Sequence, residues 1–316
     1  MKAFTRDQYG DPEVLQLSEV KMPDLQADQL MVKNHAISFN PAEWHILRGK
    51  IWLIRLAQGF FKPKQPILGA DVAGEIIAIG SKVKAFKVGD KVFGRAHHTA
   101  LSEISVLEAS NSAIVPQGID FVRASTLPLA AVTARASLHL IDSLKSKVVL
   151  INGASGGIGT FAVQIAKNSG AQVYAISSHR NAGMVKSLGA KRVYQYDKED
   201  PLTSEMCYDL IVDLIGNLEV ARTFARLKES GTYVQVGYSS FWQMAQFLFY
   251  AVFSRRKRLT TINAKVSTDS LEEVALAIAS EQIEPVIDEE FDFANLPNAL
   301  AYLGTKRAKG KIVVRF

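Results

Sequence analysis

The stretch Lys147–Lys167, which reads KVVLINGASGGIGTFAVQIAK, constrains the fold of this chain more than any other. A run of β-branched and aliphatic residues stops at Gly153, and an apolar stripe with helical spacing begins after Gly157. This order predicts a strand, a tight turn and a helix. Glycines stand where side chains would obstruct the turn, a bound pyrophosphate or helix–strand packing, namely at Gly153, Gly156, Gly157 and Gly159. Because a helix N-terminus also attracts phosphates, the stretch predicts a dinucleotide-binding site.

Segments with strand and helix patterns alternate after the glycine turn. Strands are predicted at Gln172–Ser177, Arg192–Gln195, Tyr208–Leu214 and Thr232–Val236. Helices are predicted at Ala182–Leu188 and Glu219–Lys228. This alternation favours an α/β fold with a doubly wound parallel sheet.

The two ends of the chain have a different pattern. Short apolar runs broken by Pro, Gly and Asp predict a β-rich region up to about Val115, with strands at Val14–Leu17, Gln29–Ala36 and Ala73–Ile79. Towards the C-terminus, strands are predicted at Leu259–Val266 and Lys311–Phe316, and helices at Leu271–Ala279 and Ala294–Leu303. A length of 316 residues allows two domains, and we expect two.

The composition excludes several classes of protein. A hydrophobic share of 48% and a charged share of 22% are ordinary for a soluble globular chain. Cys207 is the single cysteine, which excludes an internal disulfide framework and a cysteine-rich zinc site and favours a reducing compartment. The first residues contain no secretory signal pattern, so we expect a cytoplasmic protein. The net charge of +6 comes from mostly scattered basic residues, from which we predict no binding to nucleic acid.

Three motifs in the N-terminal region join the glycine turn in a specific signature. They are Ser38–Trp44 (SFNPAEW), Leu68–Glu75 (LGADVAGE) and Phe86–Gly94 (FKVGDKVFG). With these motifs, the chain resembles the medium-chain dehydrogenase/reductase superfamily over nearly its whole length. The resemblance implies a GroES-like catalytic domain split between residues 1–122 and 261–316, a Rossmann nucleotide-binding domain at 123–260, and a homodimer. It also implies a helix over Ala124–Leu140 that leads from the first domain into the second.

The end of the second strand of the predicted sheet indicates which nicotinamide cofactor is used. An acidic residue there binds the ribose 2′-hydroxyl of NAD and would repel the 2′-phosphate of NADP. This chain has Ser177-Ser178-His179-Arg180-Asn181 at that position, with hydroxyls and a guanidinium that suit a phosphate. We therefore predict NADPH, with Ser178 and Arg180 as its chief contacts.

The resemblance implies further contacts with the cofactor along the chain. They fall at Thr133, Ser155, Gly156, Gly157, Ile158, Ser177, Tyr196, Gly216, Gly237 and Lys311. Two of these positions keep an alternative interpretation. The hydroxyl of Thr133 would otherwise bond within its own helix, and Tyr196 would otherwise serve only in packing.

Asn40 and Ala70 stand where zinc-dependent members of the superfamily have a cysteine and a histidine ligand. The resemblance therefore points to the zinc-free branch of quinone oxidoreductases and enoyl reductases. Without a Lewis acid, a quinone or a conjugated alkene is easier to reduce than a simple ketone, because it delocalises the incoming electrons. We expect hydride transfer from C4 of NADPH to a quinone or to the β-carbon of an α,β-unsaturated carbonyl compound.

Candidate catalytic residues lie in the first motif and after the fifth predicted strand. Asn40 is a candidate donor to the developing enolate oxygen, although an asparagine before a proline is also an ordinary turn pair. Glu43 and His45 are candidates for relaying the proton, and Tyr238 for bordering the substrate pocket. The competing interpretation is a non-catalytic NADPH sensor or a membrane-associated binding protein that kept the fold without turnover.

Residues 239–258, SSFWQMAQFLFYAVFSRRKR, crowd aromatic side chains before four basic residues. The apolar part is too short to span a bilayer. Two interpretations stay open: a helix that caps the pocket or packs against a partner subunit, which we favour, and a peripheral membrane contact through 241–258. A second apolar run, Ile51–Phe61, is expected to form the opposite wall of the same cleft, where a small lipophilic electrophile would bind.

Overall fold

The computed structural model describes residues 1–237, 240–254 and 256–316. The chain divides into two compact units, here called unit 1 and unit 2. Unit 1 comprises Met1–Ala130, Lys265–Glu281 and Pro285–Phe316, and unit 2 comprises Ala131–Ala264 and Gln282–Glu284. The sequence predicts domain changes after residues 122 and 260, whereas the compact units change after residues 130 and 264.

Strands dominate the N-terminal region, and strands and helices alternate in the rest of the chain. In the described ranges the strands are β1 (Lys2–Thr5), β2 (Gln16–Glu19), β3 (Gln29–Ser38), β4 (Ala70–Ile79), β5 (Lys91–Ala96), β6 (Ile104–Glu108), β7 (Ser112–Ile114), β8 (Val148–Asn152), β9 (Gln172–Ser177), β10 (Arg192–Gln195), β11 (Tyr208–Asp213), β12 (Leu227–Gln235), β13 (Arg258–Thr261), β14 (Ile287–Asp292) and β15 (Lys311–Arg315). The helices are α1 (Pro41–Arg48), α2 (Trp52–Gln58), α3 (Phe121–Ser125), α4 (Ala130–Leu138), α5 (Gly157–Asn168), α6 (His179–Ser187), α7 (Val220–Ala225), α8 (Phe241–Phe253), α9 (Thr268–Ala279) and α10 (Leu296–Gly304).

The larger sheet of unit 1 is built around the ten-residue strands β3 and β4. Its path is β14-β15-β3-β4-β5-β7, and β6 also pairs with β3. Neighbouring strands are antiparallel, except that β14 and β15 run parallel. Apolar side chains from strands far apart in sequence form one core, which includes Leu30, Val32, Ile37, Val72, Ile312 and Val314.

The sheet of unit 2 has six parallel strands in the order β10-β9-β8-β11-β12-β13. Counted from β8, this is the order 3-2-1-4-5-6 of a Rossmann fold. The central strands β8 and β11 contain the apolar runs 148–151 and 210–212, as expected for parallel strands buried on both faces. The predicted α/β fold with a doubly wound parallel sheet is confirmed.

The prediction of one helix over Ala124–Leu140 is wrong. The structure has two helices here, α3 and α4, separated by residues 126–129. Pro128 lacks a backbone N–H and disfavours helical backbone at Leu127, so the helix is interrupted at this point.

Two further predicted elements differ from the structure at one end, because another element occupies the residues there. The helix predicted at Glu219–Lys228 ends at Ala225, since β12 already begins at Leu227. The strand predicted at Val14–Leu17 begins only at Gln16, because the preceding residues form a short 3-10 turn that starts with a proline.

The strand predicted at Leu259–Val266 belongs to a different unit from the one expected. It is β13, which ends at Thr261 and pairs in parallel with β12. The sequence predicts that this strand returns to the first domain, but it supplies the sixth strand of the parallel sheet. The chain returns to unit 1 only at Lys265.

Candidate active site

The glycine turn between β8 and α5 forms the first part of the site in unit 2. Gly153 has a φ of +81°, which favours glycine, and a Cβ added at Gly159 would overlap the carbonyl oxygen of Gly153. Gly156 is the N-cap of α5, and Gly157 and the half-buried Ile158 lie in its first turn. The backbone N–H groups of the turn therefore lie at the positive end of a twelve-residue helix.

Asn181 connects the glycine turn to the first turn of α6. Its Nδ2 donates a hydrogen bond of 3.1 Å to Oγ of Ser155. Because this oxygen accepts the bond, the hydroxyl hydrogen of Ser155 is free to point at an anionic acceptor. Asn181 is only 6% exposed, and its Oδ1 is buried without a hydrogen-bond partner in the described residues. The sequence pattern does not single out this residue, since an asparagine at the start of a helix is also typical of capping.

The predicted contacts with the 2′-phosphate lie around the N-terminus of α6. Ser178 is the N-cap of this helix, and Arg180 is exposed in its first turn. Ser177 is buried, and its hydroxyl donates to the carbonyl oxygen of Ser178 at 3.2 Å. Tyr196 is 63% exposed, which argues against the interpretation that it serves only in packing.

A carboxylate also reaches the N-terminus of α6. Asp197 follows β10, and its Oδ1 accepts a hydrogen bond of 2.8 Å from the backbone N of His179. The prediction of NADPH used the absence of an acidic residue from residues 177–181, whereas the fold brings this one from 18 positions further along. The helix N-terminus therefore carries both the guanidinium of Arg180 and the carboxylate of Asp197.

Asp213, at the end of β11, organises the loop that contains Gly216. Its Oδ1 accepts hydrogen bonds of 2.7 Å from Asn152 Nδ2 and from the backbone N of Gly216, and its Oδ2 accepts one of 3.0 Å from the Tyr233 hydroxyl. Burial raises the pKa of Asp213, and these hydrogen bonds partly oppose the shift. Since Asn152 directly precedes the glycine turn, the loops after β8 and β11 are fixed to each other.

The remaining residues predicted in this unit lie in α4 and after β12. Thr133 is 5% exposed, and its hydroxyl makes no hydrogen bond to any described residue, so the interpretation that it bonds within its own helix is not supported. The carbonyl oxygen of Gly237 accepts a hydrogen bond of 3.1 Å from Gln235 Nε2. Tyr238, the predicted border of the substrate pocket, lies outside the described residues.

Five polar side chains of unit 1 form a charged network, largely shielded from solvent. They are Asn40 and Glu43 at the start of α1, Asp71 on β4, Arg95 on β5 and Lys311 on β15. Arg95 bridges the two carboxylates, at 2.8 Å from Glu43 and 3.0 Å from Asp71. Lys311 Nζ lies 3.7 Å from Asp71. Two cations therefore balance two anions within the network.

The side-chain amide of Asn40 is held at both ends. Nδ2 donates to Asp71 at 3.0 Å, and Oδ1 accepts from Lys311 at 2.7 Å. The backbone N of Asn40 donates to Glu43 Oε2 at 2.6 Å, which fixes the first turn of α1. An amide Nδ2 has two hydrogens, so one remains for another acceptor. Lys311 was predicted as a cofactor contact, and in this unit it orients Asn40.

Burial and mutual attraction together shift the pKa values in the network. Burial raises the pKa of Glu43, although Arg95 acts in the opposite direction. Burial lowers the pKa of Lys311, and Asp71 and Glu43 oppose that shift. For Arg95, burial alone would lower the pKa, but the two carboxylates outweigh it and raise the value. Removing one of the four charged members would leave an uncompensated charge in a largely buried site.

A cavity of about 90 Å³ lies beside the network within unit 1. Glu43, Arg95, His97 and His98 are among its lining residues, and its volume is sufficient for several water molecules. Glu43 therefore borders a space that can hold water. His45, the other candidate for relaying the proton, is exposed on α1 and makes no bond to the network.

The residues at the zinc positions of the superfamily do not fit a metal ion. Asn40 uses its amide within the network, and Ala70 has no ligating side-chain atom. Over residues 1–237, 240–254 and 256–316, no group of three or more His, Cys, Asp or Glu side chains is arranged to hold a metal.

Comparisons with known proteins point to one family. Residues 26–113 match the family described as an alcohol dehydrogenase GroES-like domain, and residues 188–314 match one described as a zinc-binding dehydrogenase. The chain is 31% identical to the 2-methylene-furan-3-one reductase of Solanum lycopersicum, over 99% of this chain and 79% of that protein. It is 30% identical to the chloroplastic NADPH-dependent alkenal/one oxidoreductase of Arabidopsis thaliana, with the same coverage of 99% and 79%.

A solved structure agrees with the sequence relatives. The quinone oxidoreductase from Coxiella burnetii is 28% identical and matches with a TM-score of 0.90, over 100% of this chain and 99% of that one. A GroES-like domain combined with a Rossmann sheet defines the medium-chain class of dehydrogenases and reductases. The chain belongs to this medium-chain dehydrogenase/reductase superfamily, in its branch of quinone oxidoreductases and enoyl reductases. The resemblance seen in the sequence is confirmed.

Proposed function

We propose that the chain is a zinc-independent reductase that transfers hydride from NADPH to a quinone or an α,β-unsaturated carbonyl compound. The observation that carries this proposal is the glycine turn of unit 2, with Ser155 and Asn181 beside it. The names of the relatives support it, since one is called an NADPH-dependent alkenal/one oxidoreductase and another a furanone reductase.

The residues of unit 2 fit a phosphorylated dinucleotide. The buried Oδ1 of Asn181 lacks a donor, and a ribose hydroxyl would supply one. The free hydroxyl hydrogen of Ser155 and the backbone N–H groups of Gly157 and Ile158 would bind phosphate oxygens, since the N–H groups of Ala154 and Gly156 already donate to backbone carbonyls. Ser178 and Arg180, at the N-terminus of α6, would bind the 2′-phosphate.

The network of unit 1 would orient and stabilise the reacting carbonyl group. NADPH supplies the hydride, and the conjugated acceptor delocalises its electrons. The remaining Nδ2 hydrogen of Asn40 would donate to the developing oxyanion, an interaction worth about 3 kcal/mol in other oxyanion sites. Asp71 and Lys311 hold the amide in one orientation for this role. Glu43 would relay a proton through water in the adjoining cavity.

The proposed enzyme acts in the cytoplasm as a homodimer, and its substrate is a small lipophilic electrophile. A second candidate function is a sensor that binds NADPH without turnover. One observation favours it: both carboxylate oxygens of Glu43 and both ends of the Asn40 amide are already bonded within the protein.

The two functions differ in the fate of NADPH. The absorbance of the reduced nicotinamide is followed with a panel of quinones and enones, and NADH is tested in parallel. Turnover with NADPH preferred is expected. Binding of NADPH without oxidation across the whole panel would favour the sensor. Dialysis against a chelator tests the metal, because activity that is lost and then restored by zinc would contradict the zinc-independent proposal.

A further inference from the structure

Two surface segments, residues 44–64 and 241–258, differ from the rest of the chain in charge. Segment 44–64 contains five basic residues, and segment 241–258 contains four. Neither contains an aspartate or a glutamate. The chain has 37 basic and 31 acidic residues in total, so without these nine basic residues its net charge would be −3 instead of +6. The positive charge of the protein therefore resides in these two segments.

The same two segments carry most of the exposed large apolar side chains. Of 20 such side chains in the described residues, eleven lie in the two segments. In segment 44–64 they are Ile51, Trp52, Leu53, Leu56, Phe60 and Phe61. In segment 241–258 they are Trp242, Leu248, Phe249, Val252 and Phe253. Phe61 is 90% exposed and Val252 is 76% exposed, so these side chains extend well into solvent.

Contacts on the inner side hold both segments in place. In α8, Phe247 packs on Tyr233 with ring centroids 5.2 Å apart, and Tyr250 packs on Phe224 at 5.1 Å. In segment 44–64, the hydroxyl of Tyr9 donates to the Gly59 carbonyl oxygen at 2.7 Å, and the same ring lies 4.9 Å from the Arg55 guanidinium. The outward apolar side chains are therefore not needed to anchor either segment to its own unit.

Most of the described basic side chains in these segments have no carboxylate partner. Lys50, Arg55, Lys62 and Lys64 make no ion pair with any described residue, whereas Arg48 pairs with Asp11 at 2.6 Å. Lys257 donates to the Phe224 carbonyl oxygen at 2.8 Å, which leaves its charge uncompensated. Arg256 pairs with Glu229 at 3.3 Å, but both side chains are about four-fifths exposed, so the pair is weak.

We propose that segments 44–64 and 241–258 are contact surfaces for a lipid bilayer that contains anionic lipids. Aromatic and aliphatic side chains next to lysine and arginine, without acidic residues, suit the boundary between acyl chains and anionic headgroups. No helix in the described part of the chain is long and apolar enough to cross a membrane, so the contact is peripheral. If the proposed reductase function is correct, this contact would give the enzyme access to lipophilic quinones and enals dissolved in the bilayer.

A second copy of the chain suits these surfaces less well than a bilayer does. In a twofold interface each patch meets the same patch on its partner, so the basic residues of a segment would face a segment that contains no carboxylate to pair with them. An anionic surface instead attracts these charges and accepts the apolar side chains at the same time.

Sedimentation with vesicles tests this proposal without cofactor or substrate, so its failure would leave the proposed reductase function untouched. The full chain is mixed with vesicles of phosphatidylcholine alone, or of phosphatidylcholine with phosphatidylglycerol. We expect binding to the anionic vesicles, weakened by salt, and at least about tenfold weaker binding to the neutral ones. Equal binding to both kinds of vesicle, or to neither, would overturn the proposal.

Paired variants test each segment separately. Three double variants should each lower the partition coefficient about tenfold. They are Trp52→Ser with Phe61→Ser, Lys62→Glu with Lys64→Glu, and Val252→Ser with Phe253→Ser. Leu276→Ser and Lys84→Glu, exposed sites outside the segments, are matched controls and should bind as the parent does. Circular dichroism checks that all variants fold. A segment whose variants bind unchanged is not a contact surface, and variants that dissociate a dimer without altering vesicle binding would identify a second copy as its partner.

Discussion

The glycine turn of unit 2 and the charged network of unit 1 are built in opposite ways. The turn comes from consecutive residues between β8 and α5, and it presents backbone N–H groups. The network takes side chains from α1, β4, β5 and β15, and it presents charges that neutralise one another. The glycine turn keeps its shape because Cβ atoms are absent from it, whereas the network is stable only when each of its charges is present. Substitutions should therefore disturb the two regions in different ways.

The largest effect is expected from Arg95→Leu in unit 1. This change leaves the carboxylates of Glu43 and Asp71 without their shared cation, so the free energy of unfolding should fall by about 3–5 kcal/mol. Urea denaturation measures it. Arg315→Leu is the matched control, because Arg315 pairs with Glu290 at an exposed site of the same unit and should cost about 0–1 kcal/mol. Similar losses of unfolding free energy in the two variants would mean that the buried ion pairs of Arg95 stabilise the protein no more than the exposed ion pair of Arg315 does.

A smaller loss of stability, but a specific loss of binding, is expected from Gly159→Ala. The added Cβ would overlap the carbonyl oxygen of Gly153, so α5 must shift away from the turn at a cost of about 1–3 kcal/mol. The same shift of α5 should weaken the binding of NADPH, which calorimetry measures. Gly183→Ala is the control, since its Cβ meets no atom within 4 Å in the interior of α6 and should stabilise by about 0.5–1 kcal/mol. Unchanged NADPH binding in Gly159→Ala would contradict the assignment of the turn.

Arg180→Ala should change the choice between cofactors without affecting the fold. It should weaken binding of NADPH by about 1–3 kcal/mol and leave NADH nearly unaffected, because only NADPH has a 2′-phosphate. Asp197→Asn should act in the opposite direction, since it removes a negative charge from the same helix N-terminus. Calorimetric titrations with both cofactors measure the two variants. Equal losses for both cofactors in Arg180→Ala would refute its assignment to the phosphate.

The smallest expected effect is a dependence of stability on pH that arises in unit 1. Burial lowers the pKa of His97 and His98 below the ordinary value of 6.5, and Arg95 adds to the shift at His97. Below about pH 6.5 the unfolded chain takes up protons that the folded chain does not, so stability is retained above that pH and falls as the pH drops further. The melting temperature as a function of pH measures this. The double variant His97→Gln with His98→Gln should flatten the curve.

Another group titrates with the opposite sign in the same unit. Burial raises the pKa of Glu43, so protonation of this carboxyl favours the folded state as the pH falls. The difference in melting temperature between the parent and the double histidine variant at each pH isolates the contribution of the histidines to stability, because Glu43 is present in both proteins. Identical melting curves for the two proteins would show that His97 and His98 do not contribute.

The sequence predicted the glycine turn well because its function is local and is carried by the backbone. Gly153 and Gly159 are six positions apart, and their spacing alone indicates a strand, a turn and a helix. Asn181 and Asp197 could not be found in this way, since each acts through a side-chain bond to a residue 26 or 18 positions away.

The network of unit 1 was predicted only in part, and only through the resemblance. Asn40, Glu43 and Lys311 were singled out, but their partners Asp71 and Arg95 were not. Asp71 and Arg95 face each other because β4 and β5 pair in one particular register. Nothing in the local sequence of either strand specifies that register, which depends on packing across the whole sheet.

The position of β15 has a consequence for the synthesis of the protein. Apart from Gln282–Glu284, unit 2 is one continuous stretch, so its sheet can form once residue 264 has left the ribosome. Strand β3 of unit 1 is made early, but its neighbour β15, which begins at Lys311, is made only after the continuous stretch of unit 2. Until then the end of β3 at residues 36–38 has an open edge, and Asp71 and Asn40 lack the ammonium group of Lys311. The nascent chain therefore carries an unfinished sheet while unit 2 is being made, and this is the interval in which a chaperone would protect it.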